Sequence, residues 1–210
     1  MKTMIAVPCM DTVHTAFFRS YNAMAKPAGT VLATCQSSLV YDSRNRLAQE
    51  ALASDCGRVL WLDSDMELPE DLMRRLSEDL DEGRDYVSAL AFRRNLPTWP
   101  VLYDRVEYES RPGGKIAVEA RRYTKWPEGG VFEIAGSGFG AVMMTTELLR
   151  RVAEEYTLPF APMPGLGEDL AFCWKARQLG YKLWCDPRVL PGHVGVMTYD
   201  GRLYRPEDRE

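Results

Sequence analysis

Three short stretches of this chain place chemically capable residues at spacings that let them cooperate. The first is Leu60-Trp61-Leu62-Asp63-Ser64-Asp65, an apolar run ending in two acids one residue apart. Side chains at i and i+2 of extended backbone point to the same side, so both carboxylates could face one point. Such a pair suits a hard divalent cation, and ligands of parallel α/β sheets bind beyond the carboxyl ends of strands, where this pair falls. The plain alternative is a solvated loop with one acid capping a helix. The second stretch, Gly165-Leu166-Gly167-Glu168-Asp169-Leu170, sets two acids in the first turn of a helix. The helix dipole favours acids there without any function. The chemical alternative is a general base, which the flanking glycines would let a substrate approach closely. The third is Pro191-Gly192-His193-Val194-Gly195, with one of only two histidines set between glycines. It reads as a surface residue or, as a neutral imidazole, as a nitrogen ligand beside carboxylates.

These residues need a frame, and the first ninety residues supply its pattern. Short apolar, β-rich runs alternate with helical patterns, as in βαβ units around a largely parallel sheet. Strands are expected over 3–8, 29–35, 58–62 and 86–92. Between them, Val13, Phe17, Tyr21 and Met24 share one face of a helix. Asp42 reads as the N-cap of a second helix, buried through Leu47, Ala48, Ala51 and Leu52 and closed by Gly57. Pro69 reads as the first position of a third, with Glu70 and Asp71 in its first turn, Leu72, Met73, Leu76 and Leu80 inside, and Gly83 at its end.

From 93 to 130, four prolines, four glycines and several aromatic and basic residues interrupt β-like pieces such as 101–108, which reads as an irregular insert over the site. Regular structure resumes over 131–144. Helices are expected over 147–155 and 168–179, the latter with Lys175 and Arg177 polar and Gly180 as its cap. A last strand over 182–185 precedes the loop bearing His193. Gly136-Ser137-Gly138-Phe139-Gly140 superficially looks like a dinucleotide-binding loop, but Ala141-Val142-Met143-Met144 after it reads as strand and the glycine spacing is wrong, so the fingerprint is rejected. The small residues would let backbone lie close to a ligand, or form a bulge.

Bulk properties narrow the class. A chain of 210 residues, 46% hydrophobic and 27% charged, fits one globular core with room for a cleft. Pro8 and Asp11 break the first apolar run, so it reads as a strand rather than a secretory signal, and no stretch approaches a membrane helix. The cytoplasm is the expected location. Five cysteines without a Cys-x-x-Cys pair argue against a disulfide framework or a zinc ribbon and for buried free thiols. A net charge of −4 gives no global reason for a nucleic-acid partner, yet residues 93–130 hold eight Lys/Arg against five Asp/Glu, which leaves room for an anionic ligand.

Taken together, a strand ending in Asp63-x-Asp65, Gly167-Glu168-Asp169-Leu170-x-Phe172-x-x-Lys175 about a hundred residues later and His193 about two dozen beyond resemble family-2 and related GT-A glycosyltransferases over roughly residues 4–195. The resemblance implies an α/β fold of GT-A type: a Rossmann-like, mostly parallel central sheet flanked by helices, with an irregular β-containing insert. It implies a single domain over 1–210, with a nucleotide-sugar-binding half (1–92) and an acceptor-side half (93–210). It implies that Asp65 binds Mn²⁺ or Mg²⁺, that Asp63 reaches the ribose or the metal shell, and that His193 completes the coordination. Asp169, with Glu168 beside it, would be the acceptor-side base. Asp42, Arg44 and Asn45 fall in the segment that contacts the nucleotide, Pro8 lies beside the base, and Ser64 sits among the donor contacts. The activity implied is transfer of a sugar from a nucleotide diphosphate sugar, UDP-sugar favoured, to a hydroxyl acceptor.

A phosphotransferase of the haloacid dehalogenase type also ends a strand in Asp-x-Asp, but its nucleophile lies on the first strand with Thr or Val after the second Asp; here Met66 follows and two strands precede. A nucleotidyltransferase would carry a Gly-rich triphosphate loop, and none follows Val7. A non-catalytic nucleotide-sugar binder is the non-enzyme alternative. The acceptor stays open: Arg93, Arg94, Arg111, Arg121, Arg122 and Lys125 could grip an anionic one, including a hydroxylated base in DNA.

Overall fold

A computed structural model describes residues 1–195 and 198–205. In chain order the first half holds β1 (Thr3–Cys9), α1 (Thr15–Ala23), β2 (Val31–Gln36), α2 (Val40–Ala53), β3 (Arg58–Leu62), β4 (Met66–Glu67), α3 (Leu72–Asp81) and β5 (Tyr86–Ala89). The second holds β6 (Leu102–Arg111), β7 (Lys115–Arg122), β8 (Phe132–Ile134), β9 (Gly136–Ser137), β10 (Ala141–Thr145), α4 (Thr146–Tyr156), α5 (Glu168–Gln178), β11 (Leu183–Asp186), β12 (Gly192–Val194) and β13 (Thr198–Tyr199).

The central sheet has the order β2-β1-β3-β10-β5-β11-β8. β2, β1, β3, β5 and β11 run in one direction, while β10 and β8 run against them. The expected mostly parallel sheet is therefore present, and the two halves of the chain interleave in it, because β10 from the second half lies between β3 and β5. Both faces are covered, which explains the uninterrupted apolar runs of β1 and β3. Met4 and Ala6 face the layer of Leu47, Ala48, Leu148 and Phe172, whereas Ile5 and Val7 face Phe17, Leu72 and Leu76. The chain passes from β1 outward to β2 and back across to β3, so the order reverses between β1 and β3, the kind of crevice where α/β sheets bind ligands.

Several expected boundaries shift for local reasons. Val13 is exposed and lies before α1, whose N-cap is His14, its ring accepting the Ala16 N–H at 3.3 Å. Asp42 is not the N-cap of α2; Leu39 is, and Asp42 lies in the first turn, 3.0 Å from Arg46. An acid satisfies the dipole at either place, so its type alone does not fix the start. α2 ends at Ala53 with Ser54 as its cap, and Gly57 instead donates to the Lys2 carbonyl at the foot of β3. Pro69 sits in the turn before α3, its carbonyl accepting the Leu72 N–H. The strand begun at Tyr86 stops at Ala89, the stretch 131–144 divides into β8, β9 and β10, and the last sheet strand is displaced to Leu183–Asp186.

The stretch over 93–130 is more regular than its composition implies. β6 and β7 form a long antiparallel hairpin turned by Pro112, Gly113 and Gly114, with both glycines in left-handed backbone (φ 78° and 73°). β7 has no buried residue, so its alternating Ile116, Val118 and Ala120 mark no core face. The rejection of a dinucleotide fingerprint agrees with the structure, since the glycines of 136–140 lead into β10. All five cysteines are free thiols, and no helix among the described residues is long and apolar enough to cross a membrane.

Candidate active site

The crevice between β1 and β3 opens into two adjoining cavities of 370 and 420 Å³ that share Arg44, Asp63, Arg94, Glu168 and His193. The first is walled by the ends of β1 and β2 through Pro8, Cys9, Met10, Ser37 and Ser38, with Ser64 and Asp65 at its floor. The second is walled by Arg93, Asn95, Val101, Gly138, Phe139, Gly140 and Asp169.

The two acids after β3 do not lie on extended backbone. The Met66 N–H donates to the Asp63 carbonyl at 3.2 Å, so residues 63–66 form a turn and the carboxylates take different hydrogen-bond partners. Asp63 Oδ1 accepts from Arg44 Nη2 at 2.7 Å. Arg44 is 2% exposed, its guanidinium 5.0 Å from the Phe139 ring centre and its Nε 3.5 Å from Glu168 Oε1, so it ties Asp63 to Glu168 from beneath. Asp65 Oδ2 instead lies 2.5 Å from Arg94 Nη1 and 3.3 Å from His193 Nε2.

His193 reaches Asp65 through strand pairing rather than proximity in sequence. β12 lies antiparallel to β4 with His193 opposite Met66, and the Val194 N–H donates to the Asp65 carbonyl at 2.8 Å. The expected loop is thus a short strand. His193 Nδ1 is 2.9 Å from the Phe92 carbonyl, which can only accept, so that nitrogen carries a proton and Nε2 is the one turned to Asp65. Burial opposes charge on both partners, but their hydrogen bond and mutual attraction win: the His193 pKa is raised, and that of Asp65, with Arg94 also beside it, is lowered. For Asp63, burial outweighs Arg44 and holds the carboxyl above its ordinary value.

The fit to a divalent cation is partial and specific. Two donors on neighbouring corners of an octahedron with bonds of about 2.1 Å stand about 3 Å apart, close to the 3.3 Å between Asp65 Oδ2 and His193 Nε2. The Phe92 carbonyl on the far ring nitrogen is the support that metal-bound imidazoles commonly have. No cluster of three His, Cys, Asp or Glu able to hold an ion occurs among the described residues. An ion here would need its remaining ligands from water or a bound substrate.

Asp169 stands at the start of α5, half-buried, its Oδ1 accepting the Leu170 N–H at 2.7 Å. Burial first, then the negative charge of Glu168, raises its pKa to about 6. Glycines keep it open: a Cβ on Gly167 would stand 3.1 Å from its Oδ1, and one on Gly138 would strike the Val101 side chain at 2.7 Å.

Of the residues expected at the site, Pro8, Asp63, Ser64, Asp65, Glu168, Asp169 and His193 are brought to the two cavities. Arg44 lines them only from below. Asp42 pairs with Arg46 away from the cleft, and Asn45 is buried with its Oδ1 accepting the Phe160 N–H at 2.9 Å, so both serve the frame. Lys175 is likewise not a surface residue: 4% exposed, it donates to the carbonyls of Leu158, Pro159 and Ala161. The partnership of Arg94 with Asp65 went unseen, its only signal being the basic character of residues 93–130.

No protein-family model and no curated protein sequence matches the chain. Solved structures do. The crystal structure of A197 from STIV is similar at a TM-score of 0.65 and 18% identity, over 93% of this chain and 86% of that one. S. aureus TarS is similar at 13% identity and covers 89% of this chain: the structure of TarS 1-349 gives a TM-score of 0.52 over 58% of its length, and TarS gives 0.54 over 35%. At these identities the likeness is one of fold.

Proposed function

We propose that the chain is a metal-dependent glycosyltransferase, moving a sugar from a nucleoside diphosphate sugar to a hydroxyl acceptor. The observation that carries this reading is the junction of two cavities at Asp63 and His193, with Asp65 lining the first and a protonatable carboxyl, Asp169, lining only the second. The shared fold and the order of the three motifs add to it.

In this reading the first cavity takes the nucleotide, between Pro8, Met10 and the serines after β2. Asp65 and His193 would hold Mn²⁺ or Mg²⁺, with Asp63 fixed by Arg44 beside them. A bound cation supplies neutralisation of the charge that grows on the diphosphate as it leaves. On the other side Asp169 accepts the proton of the acceptor hydroxyl as its oxygen attacks the anomeric carbon. A new C–O bond forms there, the bond to the diphosphate oxygen breaks, and the anomeric centre inverts. Neighbouring Glu168 is held by Arg44 and keeps the region around Asp169 negative.

Thermal-shift measurement of the purified protein with UDP-, GDP-, CDP- and dTDP-sugars, each with Mn²⁺, Mg²⁺ or EDTA and repeated on Asp65→Ala, tests the donor and the metal together. The expected result is stabilisation by one nucleotide, UDP being tried first, lost with EDTA and in the variant. No shift with any nucleotide under any metal condition would remove the reading.

A further inference from the structure

The basic stretch around the site is less free than its composition implies. Arg94 is engaged by Asp65, Arg111 by Glu109, and Arg121 by Asp104, while Arg122 leans on the Tyr103 ring and hydroxyl. Lys125 lines neither cavity of the site. Arg93 differs from all of them. Among the described residues its guanidinium has no hydrogen-bond or ion-pair partner, and it lines the Asp169 cavity but not the nucleotide-side one. Asn95 stands in the same wall, its amide also without a partner.

This is not a loose loop with idle side chains. The Arg93 N–H donates to the Trp99 carbonyl at 2.9 Å, and Thr98 Oγ1 donates to the Arg93 carbonyl at 2.6 Å. The backbone pinned at Arg93 presents an exposed guanidinium fork, with the exposed Asn95 amide two residues on, to a cavity lined by Glu168 and Asp169. Those acids demand a counter-charge on any bound anion's far side, and an arginine fork matches the two oxygens of a carboxylate or phosphate.

We propose that Arg93, assisted by the Asn95 amide, binds an oxyanion carried by the acceptor, a phosphate or carboxylate on the same molecule as the attacking hydroxyl. The inference rests on the glycosyltransferase reading. One free cation in the cavity, with its basic neighbours paired, fits a single local anion rather than the long phosphate track of a nucleic acid, which needs many unpaired cations.

The test uses the full chain with ¹⁵N-labelled arginine, in Mg²⁺ and excess UDP so that a diphosphate site is filled. Arginine Nε–H resonances are followed during titration with inorganic phosphate and, separately, with acetate, the Arg93 signal being assigned by its loss in Arg93→Lys. The expected result is a saturable shift of that signal and at least about tenfold weaker binding by Arg93→Gln in calorimetry, with a smaller loss for Asn95→Ala. The stronger of the two anions identifies the oxyanion class. An unmoved Arg93 signal, or equal binding by wild type and Arg93→Gln, while UDP still binds, overturns this inference alone. Failure of UDP, GDP, CDP and dTDP alike to bind overturns the glycosyltransferase reading with it. Tight binding of a duplex oligonucleotide that weakens steeply with salt would replace the local anion by a polyanion.

Discussion

Among the described residues, two carboxyls besides the buried Asp63 are held above the ordinary carboxylate range, at about 6, and in both the first cause is burial, the second a neighbouring acid. One is Asp169, beside Glu168 at the cleft. The other is Asp79, beside Asp186, where the inner side of α3 meets the end of β11. Their surroundings differ in what can reach them. Asp79 is 2% exposed and closed in by Arg188, which lies 3.3 Å from its Oδ1 and 2.8 Å from Asp186 Oδ1. Asp169 faces a cavity lined in part by Gly138, and Gly167 leaves its Oδ1 uncrowded. A raised pKa shows where the fold holds a proton tightly; only access turns that into chemistry.

Exchange of each carboxyl for its amide separates the two most sharply. Asp169→Asn is expected to lower transfer by about a thousandfold, the usual scale for losing a general base, without loss of thermal stability at pH 8. Asp79→Asn is expected to leave transfer unchanged. Steady-state rates and melting curves of the two variants check this, and equal activity of Asp169→Asn and wild type would erase the distinction.

Arg44 probes the cleft's cost in stability. Replacing it with Met keeps the packing on Phe139 but leaves Asp63 and Glu168 without their shared cation. The expected destabilisation is about 3 kcal/mol, read by urea unfolding at pH 7. Much of that loss should disappear in Arg44→Met with Glu168→Gln, because a smaller uncompensated charge remains. The pH profile is a gentler test. Asp169 must be ionised to accept a proton, so transfer should fall as pH drops through about 6, by about tenfold per unit below it. A profile flat from pH 7 to 5 would remove Asp169 from the base role.

The same contrast shows what could be read from sequence. β1 and β3 were legible because a sheet covered on both faces leaves unbroken apolar runs, and Asp63 and Asp65 stood out as the acids that end one. Glu168 and Asp169 were legible from the glycines around them. What could not be read was tertiary pairing: that residues 63–66 turn, that Arg44 and Arg94 take one acid each, and that β12 carries His193 to Asp65 from 128 residues away. The β6–β7 hairpin escaped for a different reason: Ile116, Val118 and Ala120 do alternate, but the prolines and glycines around so short a run read as irregular. Asp79 and Asp186 gave no signal either, as two acids far apart in sequence become a pair only when α3 packs beside β11.

That hidden pair yields the smallest effect and the cleanest sign. The folded-state pKa of Asp79 is raised, so the folded protein keeps a proton at pH values where the unfolded chain has released it. The stability this group contributes is complete below the ordinary carboxylate range and is lost as pH rises through the folded pKa. Asp186, whose carboxylate Arg188 stabilises against the cost of burial, contributes with the opposite sign, and because Asp79 also hydrogen-bonds to it, the comparison reads the pair rather than Asp79 alone. At pH 4 the neutral acid and the amide are nearly isosteric, so wild type and Asp79→Asn should melt together. At pH 8 the variant should be more stable by about 1 kcal/mol, a shift of a few degrees, because no buried charge is forced on residue 79. Melting temperatures that still coincide at pH 8 would mean that Arg188 fully compensates the ionised pair, and the line between a stored proton and a working one would have to be drawn at Asp169 alone.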